Sequence, residues 1–127
     1  MGTIGASVVS VSEGRVVLRL PFRDDLTQQN GFLHAGTIAT LADSACGYAA
    51  LTTMAADADV LSVEFKVNML SPAIGDVFEA RGQVLRAGKT IVVTRADVFA
   101  LRDGAEKLVA AMQGTMIVST KGSGNRG

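Results

Sequence analysis

Hydrophobic and polar positions divide the chain into stretches of different period. Val8-Val9-Ser10-Val11-Ser12 and Arg15-Val16-Val17-Leu18-Arg19-Leu20 flank Glu13-Gly14. Both runs are alternating or β-branched, and the pair predicts a hairpin closed by Pro21. The polar stretch 23–31 reads as a loop. At Gly36 the period changes. Ile38, Leu41, Ala42, Ala45, Ala49 and Thr52 recur at helical spacing, alanine is abundant and proline absent. The spacing predicts a helix from 36 to about 56, about 30 Å long, broken by Asp57-Ala58-Asp59. Four β-like segments follow, at 60–69, 77–85, 90–101 and 107–119, separated by turns rich in Gly, Asp and Pro. The predicted architecture is α+β: about six antiparallel strands with one long helix on one face. The pattern admits both a sheet curled around the helix and a flatter sheet. One domain is expected over 1–120, and the polar, Gly-rich stretch 121–127 is expected to be a flexible tail.

Composition narrows the function classes. The chain has 127 residues, 48% of them apolar and 19% charged, enough for one domain with a buried core. Lys+Arg and Asp+Glu both number 12, so no basic excess points to a nucleic-acid partner. Near-neutrality also permits oligomers. With one cysteine, Cys46, no intrachain disulfide forms, and without a signal-peptide pattern the expected location is cytoplasmic. Cys46 sits among small residues and reads as core filler. One His and one Cys give no metal-ligand spacing, and Gly31-Phe32-Leu33-His34-Ala35-Gly36 lacks the lysine of a phosphate-binding loop. No metal and no separate cofactor are expected.

Between Phe32 and Ala56 the only charged side chain besides His34 is Asp43. A helix apolar almost all round is a buried helix. A membrane span is rejected: Asp43 near its centre would cost about 2.5–3.5 kcal/mol, and Thr37, Thr40, Ser44, Thr52 and Thr53 dilute its hydrophobicity further. Asp43 therefore faces a wet cleft or is buried with partners. Gly36, Ala39, Thr40, Cys46, Gly47 and Ala50 are placed along its face by helical spacing. Such small residues let a second subunit, a ligand, or both approach closely; a packing groove with a structural Asp fits the pattern equally well. The helix entry tips the balance. Gln28-Gln29-Asn30-Gly31-Phe32-Leu33-His34-Ala35-Gly36 places amides and an imidazole before the first turn. Helix-start N–H groups suit a carbonyl oxygen that becomes negative in acyl transfer. The first turn lies about 10 Å from Asp43, too far for both to touch one carbon unless a partner subunit supplies half the site.

The stretch Asn30-Gly31-Phe32-Leu33-His34-Ala35-Gly36-Thr37-Ile38-Ala39-Thr40-Leu41-Ala42-Asp43 resembles the signature of the PaaI-type hot-dog thioesterases, in which a loop ending in His-Gly-Gly enters a helix carrying Asp. Ser62 to Ala73 looks like that family's post-helix strand and Pro-Ala turn, and Gly88-Lys89-Thr90 like the motif before its penultimate strand. The resemblance spans about 28–118. It implies a hot-dog fold, a sheet wrapped around one central helix, and hydrolysis of acyl-CoA thioesters. By that resemblance Asp43 is general base or nucleophile, Gln28 polarises the carbonyl or places water, the Ala35 amide is the oxyanion donor, Ser62 helps hold water, and His34 shapes the loop. Asn30, Gly36, Lys89 and Thr90 are the expected substrate-binding positions, with Lys89, Arg86 and Arg81 the candidates for the CoA phosphates. CoA enters as part of the substrate. The family's sites lie between subunits of a homo-oligomer, usually a tetramer built as a dimer of dimers. One departure stands out: Ala35 replaces the usual glycine, which a backbone N–H contact survives unless Ala35 needs positive φ.

Aryl and medium-chain acyl groups are both open. Two other classes compete: a hot-dog hydratase or dehydratase pairing His34 with Asp43, and a non-catalytic acyl-CoA binding module.

Overall fold

The alternation between Val8 and Leu20 folds as the expected hairpin. In the computed structural model, which describes residues 5–23 and 33–120, β1 (Ser7–Ser12) pairs antiparallel with β2 (Arg15–Pro21). Gly14 turns the chain with φ +79°, a conformation glycine adopts without a Cβ penalty. Val16, Leu18 and Leu20 point inward and are buried. The residues of the polar loop beyond Arg23, Gln28 and Asn30 among them, and the 121–127 tail lie outside the described residues.

The helix, α1 (Ala35–Leu51), has 17 residues and is shorter than its expected extent to about 56. Threonine chemistry ends it. The Thr52 and Thr53 hydroxyls donate to the carbonyls of Ala49 (2.7 Å) and Ala50 (2.8 Å). The amides of Thr53 and Met54 turn back three residues, to Ala50 and Leu51. Side-chain bonds of this kind compete with helix propagation, and the last turn tightens. The Thr52 hydroxyl also accepts from the Gly14 amide at 2.6 Å, tying the helix end to the first hairpin turn.

Ile38, Leu41, Ala42, Ala45 and Ala49 form the core face as expected, but Cys46 and Ala50 join them at full burial. The expected stripe of small residues beside Asp43 is therefore split. Gly36 and Thr40 are exposed, Ala39 and Gly47 half-buried, and Cys46 and Ala50 belong to the core. Burial pushes the Cys46 thiol up to about 11; a hydrogen bond with Thr94 opposes this and the nearby Asp43 charge adds to it. A thiol so held is packing material rather than a nucleophile.

The remaining strands are β3 (Ala58–Met69), β4 (Val77–Ala87), β5 (Ile91–Arg102) and β6 (Ala105–Thr120). They complete a six-stranded antiparallel sheet in the order β1-β2-β4-β5-β6-β3. The β5–β6 turn places Asp103 (φ 53°) and Gly104 (φ 78°) both at positive φ, the Asp-Gly pattern whose twist suits a tight hairpin. Phe78, Ala80, Val92, Val98, Ala110, Met112 and Met116 line the face under α1. Each large side chain so buried contributes about 1.5–3 kcal/mol. The helix approaches most closely at β4: a Cβ on Gly82 would sit 2.5 Å from the Ala45 carbonyl oxygen. This is the expected hot-dog arrangement, the sheet wrapped on one central helix.

Strand β3 forms one edge of the sheet, and a bulge at Val63 changes its facing. Ser62 lies opposite Met116 on the helix side, whereas Glu64 lies opposite Thr115 on the outer side. Leu61 and Val63, 60% and 59% exposed, leave an apolar edge open. Among the described residues no helix is long and apolar enough to cross a membrane.

Among the described residues the outer face carries one buried acid. Glu79 is 6% exposed and accepts from Arg19 Nε at 2.8 Å and Arg81 Nε at 2.6 Å. Arg81 also pairs with Glu106 and stacks 3.9 Å over the Phe99 ring. Burial pushes the Glu79 carboxyl up, but the hydrogen bonds and charges of Arg19 and Arg81 outweigh it and hold the group below the usual glutamate range. A carboxyl lowered in the folded state stabilises above its unfolded pKa, and that stability is lost as pH falls through the folded value. Glu79→Gln is expected to lower stability near neutral pH by about 1–2 kcal/mol, discounted for the half-exposed arginines. It should also flatten the fall of Tm below about pH 4. Thermal melts across that range check this; parallel pH curves for the two proteins would contradict it.

Candidate functional site

Asp43 sits midway along α1, where the helix leaves its core face and meets β3. Asp43, Ser44, Gly47, Tyr48 and Leu51 recur at positions one and four residues apart, which places them on one side of the helix. Val60 and Ser62 of β3 and Met116 of β6 face them across a cleft of about 180 Å³. The Asp43 oxygen Oδ1 is buried and has no hydrogen-bond partner among the described residues. Leaving such an atom unsatisfied costs about 1–3 kcal/mol. A carboxylate kept in that state, at the wall of a cleft, is poised to take a proton or to attack carbon. Ser62 is exposed at the same cleft, so the bulge at Val63 brings the expected serine to the expected acid.

The helix entry forms a second, separate cleft of about 360 Å³, lined by Leu33, Ala35, Met69, Leu70, Pro72 and Ala73. The Leu33 amide donates to the Ala73 carbonyl at 3.1 Å, so the Pro-Ala turn pins the residues leading into the helix. His34 is the N-cap residue, with φ −61° and ψ 141°; its carbonyl accepts from Thr37 and Ile38, and its exposed ring makes no cap bond. Ala35 and Gly36 open the helix, so their amides have no intrahelical acceptor. Among the described non-glycine residues only Asp103 has positive φ, so alanine at position 35 carries no backbone strain.

Ala35 precedes Asp43 by eight residues, about 12 Å along the axis. One chain therefore brings Asp43 and Ser62 together at mid-helix and holds His34, Ala35 and Gly36 at the helix N-terminus. Lys89 and Thr90 lie in the exposed β4–β5 turn, where the Thr90 carbonyl accepts from Val118, and they line neither cleft. Arg81, a candidate for the CoA phosphates, is committed to Glu79 and Glu106 on the outer face.

Tyr48, Leu51, Val60 and Met116 are cleft residues that the sequence reading missed. Tyr48 follows Ser44 and Leu51 follows Gly47 by four residues, a helical signal already in the sequence. Val60 and Met116 needed the β3–β6 register.

The thioesterase superfamily model matches residues 30–107, the span that holds the helix entry, Asp43 and most of the sheet. Human acyl-coenzyme A thioesterase 13 is 32% identical over 105 residues, covering 82% of this chain and 73% of that protein. The 1,4-dihydroxy-2-naphthoyl-CoA hydrolase of Listeria monocytogenes is 29% identical over 119 residues, covering 94% of each chain. Among solved structures, a thioesterase family protein from Silicibacter pomeroyi superposes with a TM-score of 0.93 at 48% identity, over 94% of this chain and 88% of that one. The E. coli PaaI protein superposes with a TM-score of 0.83 at 22% identity, over 94% of this chain and 83% of that one, a likeness of fold.

Proposed function

The chain belongs to the thioesterase superfamily and is a thioester hydrolase, and from that premise we propose that it hydrolyses aryl- or medium-chain acyl-CoA thioesters, with Asp43 as the catalytic carboxylate. The observation that carries this reading is the orphaned, buried Oδ1 of Asp43 at a cleft shared with Ser62. The acyl carbonyl carbon lies beside Asp43, which takes a proton from water or attacks the carbon itself. Ser62 holds the water. Thiols ionise near pH 8.5, about seven pH units below water, so CoA departs as a thiolate with little need of an acid. That asymmetry suits a site built on a carboxylate and backbone amides, with His34 shaping the helix entry rather than transferring protons.

The oxyanion contact comes from a second copy of the chain. α1 runs antiparallel to β3: Ala35 shares a cleft with Met69, and Asp43 shares one with Val60 and Ser62. Strand β3 is a long, apolar sheet edge, the kind of surface that pairs with another strand. Antiparallel pairing of two β3 strands about their midpoint sets one chain's Met69 beside the other's Ala58, at the half of the strand that carries Val60 and Ser62. The Ala35 and Gly36 amides then meet the partner's Asp43. A pair of such dimers makes the proposed tetramer, and Lys89 and Thr90 are left to meet the substrate at the rim.

An acyl-CoA panel with free-thiol detection tests the reaction. Thiol release with matching loss of thioester absorbance is expected. A change in enoyl absorbance without thiol would replace hydrolysis by hydration, and saturable binding without turnover would make the chain a carrier.

The interface has its own test. Val63 lies near the β3 midpoint, so Val63→Lys sets two ammonium groups close together across the two-fold axis. Self-association is expected to weaken by about tenfold or more, with activity falling on dilution in step with the loss of oligomer seen by sedimentation. An unchanged oligomer with full activity would place the interface elsewhere.

A further inference from the structure

Gly47 is the one cleft residue without a side chain, and the fold gives it no packing reason. It lies inside α1, where glycine is less favourable than alanine. Its φ is not positive, and a Cβ added there would meet nothing within 4 Å. Gly82 is the contrast, since there a Cβ would strike the Ala45 backbone. The helix therefore gives up stability at position 47 and gains open space in return, inside the Asp43 cleft.

The cleft is polarised along its length. Asp43 and Ser44 at mid-helix and Ser62, with Met116 directly across from it, hold the polar atoms, whereas Leu51 and Val60 line the side toward the helix C-terminus. Gly47 lies one turn past Asp43, about 6 Å along the axis, between the two ends. An acyl group with its carbonyl at Asp43 must cross Gly47 to reach the apolar end. An apolar cavity of about 150 Å³ takes up benzene, so a cleft of about 180 Å³ holds one ring with its linking carbon.

Resting on the hydrolase reading above, we propose that Gly47 is the acyl-size gate of this enzyme: its missing side chain admits ring-bearing acyl groups, which pack against Tyr48, Leu51 and Val60. Any side chain at 47 projects into the passage and narrows it, while the polar end beside Asp43 stays open to short acyl groups.

The experiment compares kcat/KM for phenylacetyl-CoA and acetyl-CoA in the wild type, Gly47→Ala and Gly47→Leu, with melting temperature and oligomer mass measured on each. The ratio of the two specificity constants is expected to fall at least tenfold in Gly47→Leu and by an intermediate factor in Gly47→Ala, while Gly47→Ala melts higher than the wild type. A ratio is chosen because a general loss of structure lowers both constants together. If the wild type cleaves both substrates and Gly47→Leu leaves the ratio unchanged, the gate is wrong and the hydrolase reading stands. If Gly47→Ala breaks the oligomer, the space belongs to a second copy of the chain and the gate is wrong. If the wild type cleaves no acyl-CoA while Gly47→Ala stays assembled, the hydrolase reading fails and takes the gate with it.

Discussion

Asp43→Asn is expected to lower kcat/KM for every acyl-CoA substrate by about a thousandfold or more, near 4 kcal/mol of transition-state stabilisation. The amide keeps the size of the carboxylate but neither accepts a proton from water nor attacks carbon. The same substitution is expected to leave stability unchanged or raise it. Oδ1 is buried without a partner among the described residues, so the native carboxylate is a burden to the fold. Loss of turnover with an unchanged or higher Tm is the signature of a residue kept for chemistry. A structural aspartate gives the reverse pattern, lost stability with turnover kept in the remaining folded protein. Steady-state kinetics and a thermal melt on one sample decide between them, and near-wild-type turnover in the Asn variant would end the role assigned to Asp43.

Gly82→Val is expected to destabilise the fold by about 3 kcal/mol or more, at the upper end for overpacked cores. The obstacle is backbone: the added Cβ would stand 2.5 Å from the Ala45 oxygen and 2.7 Å from its carbonyl carbon. No rotamer relieves that contact, so α1 has to lift from β4. For a domain of this size the drop in Tm is on the order of 10 °C. Ala45 lies two residues from Asp43, so lifting the helix also moves the carboxylate, and activity should fall in the protein that remains folded. Gly82→Ala meets the same oxygen with one carbon and should give a smaller loss in the same direction. Denaturant unfolding of both variants is the measurement, and wild-type midpoints for both would show that the helix and sheet are not in fact this close.

Much of the fold was legible because its elements differ in period. The two alternating runs before Pro21, the alanine-rich run after Gly36 and four further alternating segments became six strands and one helix in the predicted order. The helix end was not legible. Thr52 and Thr53 fit the helical spacing, yet their hydroxyls close on Ala49 and Ala50, and a hydrogen bond from Gly14, distant in sequence, holds that end in place. Nor was the facing of Cys46 and Ala50. Spacing assigned both to the side of Asp43, and both turn to the core because the sheet wraps far enough around the helix to cover them.

Asp43 itself stood out in the sequence, since a single acid in an apolar helix is conspicuous whatever surrounds it. Its partner Ser62 was named through a resemblance, but only the extra residue at Val63 turns that serine toward the helix and leaves Glu64 facing out. Local sequence thus determined the element types, their order and the one acid on the helix, because periodicity and helix propensity act over neighbouring residues. Tertiary structure decided which residues share a cleft: Val60 and Met116 meet Asp43 only through the β3–β6 register and the packing of α1 on the sheet. It likewise decided that Ala35 and Asp43 stand at separate clefts, because a rigid helix holds them about 12 Å apart and no turn within it can bring them together.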